Sequence, residues 1–113
     1  MLNWVNLIDT NQLNDLIESS VNQKIIIFKH STKCNISIML KERLERNWPI
    51  ALSDQVVYYL DLLNFREVSN AIETILAIEH QSPQLLIIEN KNCTYFANHN
   101  AISATEVLNF VAS

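Results

Sequence analysis

Four apolar residues in a row, Ile25-Ile26-Ile27-Phe28, stand between Lys24 and Lys29. No other stretch restricts the fold as much. A strand sends successive side chains to opposite faces. An unbroken apolar run between polar bounds therefore reads as a buried strand, Lys24 to Lys29, with protein on both sides. The chain then turns through Ser31-Thr32-Lys33 and reaches Cys34, where a helical pattern begins at once.

The other elements follow from periodicity. Thr10 is placed to cap a short helix with Leu13, Leu16 and Ile17 inside. Cys34 to about Asn47 reads as a helix, with Ile36, Met39, Leu40 and Leu44 at helical spacing and Pro49 barring extension. Gln55 to Asp61 is a second strand, and Asn64 to Ala77 a helix through Val68, Ala71, Ile72, Ile75 and Leu76. Leu85 to Glu89 and Cys93 to Ala97 form a hairpin across Glu89-Asn90-Lys91-Asn92. Ser103-Ala104-Thr105-Glu106 is a capping box for a last helix, with Leu108 and Val111 inward. The order α-β-α-β-α-β-β-α is that of a thioredoxin-like α/β fold: a four-stranded mixed sheet flanked by helices, one domain over 1–113. A small flavodoxin-like unit is the alternative, and the hairpin argues against it.

Composition narrows the function. Apolar residues make up 49% of the chain and the net charge is −4, without a cluster of lysines and arginines. That disfavours nucleic acid as a partner. No apolar run approaches the roughly 18 residues of a membrane span, and the opening Met1-Leu2-Asn3-Trp4-Val5-Asn6 lacks the features of a signal peptide. A cytoplasmic protein with no membrane association is expected. Its two cysteines, Cys34 and Cys93, are then free thiols. The chain has no glycine, so left-handed backbone positions are expected to fall to Asn or Asp.

Cys34 is the candidate nucleophile. A helix N-terminus carries partial positive charge and free N–H groups, which favour a thiolate. Lys33, Lys29 and His30 add positive potential. Where a dithiol motif would carry its second cysteine stands Ser37, one turn on. Its hydroxyl could donate to the thiolate or to a bound thiol, but could not resolve a mixed disulfide. Ser82-Pro83, just before the third strand, is placed for a cis-proline facing Cys34, leaving the Ser82 backbone open to a ligand. The topology puts His30, His80 and His99 at the same end of the sheet. With Thr32 and Asn35 they complete the set expected to receive a thiol or peptide. The same histidines could in principle join Cys34 on a metal, although no short ligand spacing favours it. Cys93 lies at the opposite end and reads as structural.

The segments "FKHSTKCNIS", "YYLDLLNFREVSN", "IEHQSPQLLIIENKN" and "ANHNAIS" resemble the monothiol bacilliredoxins of the YtxJ type, over most of the chain from Trp4 onward. The resemblance implies a thioredoxin-like fold and removal of bacillithiol, or a similar low-molecular-weight thiol, from oxidised proteins. It makes Cys34 the attacking residue and S-thiolated client proteins the partners. The thiol is then a co-substrate, with no bound cofactor. Asp61, Arg66 and Ser69-Asn70 match the family's middle block, and Ser82-Pro83-Gln84 its "SPQ". The family usually has proline after the cysteine; this chain has Asn35. Two other functions fit the same fold. One is a non-catalytic adaptor binding around Pro83. The other is a metal or iron-sulfur carrier using Cys34.

Overall fold

The computed structural model describes residues 1–112. In chain order its elements are β1 (Asn3–Asn6), α1 (Thr10–Ser19), β2 (Ile25–His30), α2 (Asn35–Arg46), β3 (Val56–Asp61), α3 (Arg66–Leu76), β4 (Gln84–Glu89), β5 (Asn92–Asn98) and α4 (Ala104–Ala112). Single 3-10 turns lie at Ile50–Leu52 and His99–Ala101. The sheet runs β1-β3-β2-β4-β5. β1 and β2 flank β3 in parallel, while β4 is antiparallel to both β2 and β5. The mixed α/β architecture is the expected one, with five strands rather than four. The unforeseen β1 is four residues long and mostly exposed. Asn-Trp-Val-Asn offers neither an apolar run nor enough alternation to stand out, and pairing with β3 is what makes it a strand.

The apolar run of β2 is buried on every residue, because helices cover both faces of the sheet. Ile26 and Phe28 join Leu44, Trp48, Leu85, Ile87 and Val107 on the side of α2 and α4. Ile25 and Ile27 join Leu13, Ile17, Val68, Ile72, Leu86 and Ile88 on the side of α1 and α3. The strand continues this alternation into two polar residues. Lys29 follows Ile25 and Ile27 toward α1 and α3; His30 follows Phe28 toward α2.

Some local expectations change. Asp9, not Thr10, caps α1, its Oδ1 accepting from Gln12 N–H at 2.7 Å. In α2 the buried stripe is Ser37, Leu40 and Leu44, whereas Ile36 and Met39 are about half exposed. An apolar-periodicity reading skips a serine whose hydroxyl is satisfied indoors. Ile75 of α3 is also exposed, and the inner residues there are Val68, Ser69, Ile72 and Leu76. In α4, Val107 is the most deeply buried and Leu108 and Val111 pack at its margin. Ser103 Oγ accepts from Glu106 N–H at 3.4 Å, the forward half of the capping box. The left-handed positions are Ala77, Asn90, Lys91 and His99. Only one of them is asparagine. Asn90 and Lys91 form the two-residue hairpin loop, which needs positive φ at both residues.

Candidate functional site

β2 delivers the chain to the site. After His30 the backbone turns through Ser31 to Lys33, and Cys34 N–H donates to Ser31 O at 3.2 Å. Cys34 is the N-cap of α2, extended at φ −105° and ψ 116°, and its carbonyl accepts from Ile38 N–H. The next N–H groups, at Asn35, Ile36 and Ser37, have no helical acceptor ahead of them, as in any first turn. No acidic residue lies in that turn to neutralise the helix end. Cys34 is partly exposed, with Thr32, Lys33, Asn35 and Ile36 exposed around it. A partly exposed cysteine thus stands at the free N–H end of a helix.

Ser37 is fully buried beneath it. Ser31 N–H donates to Ser37 Oγ at 3.2 Å, and the same oxygen lies 2.7 Å from His30 Nδ1. The direction of that hydrogen bond follows from which ring nitrogen of His30 carries its proton. Burial pushes His30 below the usual histidine range; Lys41 adds to this, and Asp61 and Glu45 oppose it. His30 is therefore neutral at pH 7. Its ring stacks on Phe28 and leans on Tyr59. Ser37 thus braces the turn that presents Cys34, and its hydrogen bonds go to His30 and Ser31 rather than to the sulfur.

The entry to β4 ends at the same rim of the sheet. The β2–β4 pairing runs from Ile25 with Ile88 to Lys29 with Gln84, so the segment entering β4 lies at the end where β2 leads to Cys34. The Ser82-Pro83 bond is cis, and Pro83 is buried. Pro83 O accepts from His99 N–H at 3.0 Å, which ties the segment to the turn after β5. The Gln84 amide donates to Glu79 O at 3.0 Å and to Asn98 Oδ1 at 2.9 Å.

The three histidines share this end of the sheet but not one cavity. His30 belongs to the α2 side. His80 lies on the α3 side, with Nδ1 3.4 Å from Ser69 Oγ and its N–H donating to Glu73 at 2.7 Å. His99 is exposed at φ 51°. No group of three or more His, Cys, Asp or Glu side chains able to hold a metal occurs among the described residues. Cys93 lies beside the hairpin, paired with Ile88 at the far end of β4. Its thiol donates to Tyr95 O at 3.2 Å, and burial pushes it above the ordinary thiol range.

Periodicity did not single out a second cluster behind α2. Trp4 Nε1–H donates to Glu45 at 2.7 Å, Glu45 pairs with Lys41 at 2.8 Å, and Lys41 lies over the Trp4 ring at 4.9 Å. This cluster fastens β1 to the helix that carries Cys34. The signal available in sequence was a lone tryptophan near the start, which has meaning only once β1 is paired.

A family model described as "Monothiol bacilliredoxin BrxC" matches residues 5–107. Among solved structures, a candidate oxidoreductase with a thioredoxin fold superposes at a TM-score of 0.80 with 24% identity, over 94% of this chain and 91% of that one. The thioredoxin of Malassezia sympodialis gives 0.72 at 11% identity, over 97% and 88%. The thioredoxin of Fasciola hepatica gives 0.71 at 11%, over 95% of each. These likenesses establish the thioredoxin fold.

Proposed function

Because the chain belongs to the monothiol bacilliredoxin family, we propose that it is a cytoplasmic disulfide reductase that strips bacillithiol, or a similar low-molecular-weight thiol, from S-thiolated client proteins through Cys34. The observation that carries this reading is the placement of Cys34. It is a partly exposed thiol at the uncompensated start of α2, while Cys93 lies at the other end of the sheet.

The Cys34 thiolate attacks the low-molecular-weight sulfur of the mixed disulfide. A Cys34–thiol disulfide forms, the client's S–S bond breaks, and the client leaves as a thiolate that takes a proton from water. A second low-molecular-weight thiolate then attacks the adduct. It restores Cys34 and departs as a symmetrical disulfide, so both electrons come from the outside thiol pool. The first-turn N–H groups of α2 favour the anionic sulfur in each step. Lys33, exposed beside it, adds positive potential for an anionic thiol. In this reading the captured thiol is received by Thr32 and Asn35, exposed beside Cys34, with Ser82, Pro83 and His99 at the same end of the sheet. Ser37, held by His30, keeps the turn in shape.

Intact-mass analysis with a bacillithiolated client tests the reading. Wild type is expected to gain one thiol adduct on Cys34 that persists until free thiol is added. Cys34→Ser should gain none, and Cys93→Ser should behave as wild type. Ser37→Cys should expel the captured thiol and close an internal disulfide. Adduct on Cys93, or client reduction by Cys34→Ser, would rule the assignment out. A wild type that binds clients without forming any adduct would indicate an adaptor, and iron or zinc in the purified protein a metal carrier.

A further inference from the structure

An unbroken chain of hydrogen bonds joins the last residue of β2 to Cys34. His30 Nδ1 lies 2.7 Å from Ser37 Oγ. The same oxygen accepts from Ser31 N–H at 3.2 Å, and Ser31 O accepts from Cys34 N–H at 3.2 Å. Ser31 thus has both backbone groups committed, one toward the histidine and one toward the cysteine. The ring at the head of this chain is buried. It rests between Phe28 and Tyr59, and the backbone beneath it is pinned to the end of β3, where His30 O accepts from Leu62 N–H at 3.0 Å. A residue kept only for packing here would be apolar, as Ile26 and Phe28 are on the same face of the strand.

We propose that His30 is a positioning residue for thiol exchange, holding the turn that presents Cys34 through Ser37 and Ser31 and releasing that turn when it takes up a proton. This inference rests on the exchange activity proposed above. In the imidazolium both ring nitrogens donate. Ser37 Oγ, already accepting from Ser31 N–H, then has to accept twice. The new charge also stands in an interior that disfavours it. The groups facing the ring are Lys41 and Glu45 of α2, Asp61 and Tyr59 of β3, and Phe28 of its own strand. Burial and Lys41 oppose the charge more than Asp61 and Glu45 favour it. Held in place, the ring sits below the ordinary histidine value of 6.5; withdrawn into water, it returns to it. As pH falls below 6.5 the withdrawn ring binds the proton more tightly, so acid draws the equilibrium toward the open turn. Above that value both forms are neutral and the turn stays closed.

The test follows the turn and the reaction separately, on the intact protein, at about pH 7.5 and pH 5. Deuterium uptake by the amides of residues 31–34, corrected for intrinsic amide chemistry, reports the turn without any thiol substrate. Removal of the thiol from a bacillithiolated client, divided by the rate of Cys34 alkylation by iodoacetamide, reports exchange with the titration of the cysteine cancelled. In wild type both the protection of the turn and the exchange ratio are expected to fall about fivefold or more on going to pH 5, while the amides of Ile26, Ile27 and Phe28 keep their protection. His30→Asn, whose amide can still reach Ser37 but takes up no proton in this range, should show neither fall. Ser37→Ala should show the open turn and the low ratio already at pH 7.5. Turn protection independent of pH in wild type would overturn the proposal. So would a fall shared equally by Ile26 to Phe28, which is general loosening in acid, or a fall that persists in His30→Asn. If His30→Asn does not fold, the wild-type profiles decide. Exchange absent at every pH, with the turn still opening in acid, would instead refute the proposed function and leave the hold of His30 on the turn standing.

Discussion

A lysine buried completely in a sheet interior, with no acceptor on its ammonium among the described residues, is costly at the scale of one residue. The unfolded chain holds the Lys29 proton to its ordinary 10.5, and the folded chain releases it at about 8. Below about pH 8 both states are charged and the folded state bears the full cost. Between 8 and 10.5 the unfolded state binds more protons, so stability rises with pH. Above that range Lys29 is neutral in both states and the cost is gone. At about 1.4 kcal/mol per unit, the difference amounts to about 3 kcal/mol. Lys29→Met should therefore gain on the order of 2–3 kcal/mol at pH 7 and little above about pH 10. Urea denaturation at the two pH values measures it. His30, next in the chain, is also shifted down by burial, but its Nδ1 is answered by Ser37. Adjacent residues of one strand thus meet opposite fates.

At the scale of elements, the absence of glycine leaves its mark at the end of α3. Ala77 closes that helix in the left-handed region, at φ 56° and ψ 39°. A Cβ there costs roughly 1–2 kcal/mol, against which glycine loses more chain entropy on folding. Ala77→Gly is expected to stabilise the protein by about 1 kcal/mol, read as a higher denaturation midpoint with an unchanged slope. Unchanged or lower stability would mean that packing at Ala77 outweighs its backbone. The same elements show what sequence patterning reaches. β2 and β4 are legible because burial from both sides writes long apolar runs, and β3 because Val56 to Leu60 is an unbroken apolar run although only Val57 and Leu60 are buried. The start of α2 was legible because a polar turn precedes Cys34. The inner face of α2 was misjudged, since Ser37 is inside on the strength of one histidine hydrogen bond. β1 was invisible because its strand character comes wholly from β3. Cys34, Pro83 and the histidine-bearing end could be placed from topology. Lys29 is not recognisable from sequence as an interior residue, because a lysine after an apolar run marks a strand end as readily as a buried position.

At the scale of the whole molecule, the sheet is a wall with the site across its upper rim. Helices α2 and α4 close one side, and α1 and α3 the other. The fold rests on this frame, and the family on the match over residues 5–107; the proposed chemistry rests on the few polar residues at its edge. Those residues divide by face. Ser37, His30 and Tyr59 belong with α2. Lys29, Gln84, Ser69 and His80 lie toward α3. Because β2 alternates, two residues that touch in sequence are partitioned by the backbone they share. In a double-mutant cycle, Lys29→Met and Ser37→Ala have no common partner. The first should stabilise, and the second should cost about 1–3 kcal/mol by orphaning Ser31 N–H and His30 Nδ1. Their sum should match the double variant to within about 0.5 kcal/mol. If it does, the two halves of the site form independent modules, and selection could retune one without renegotiating the other.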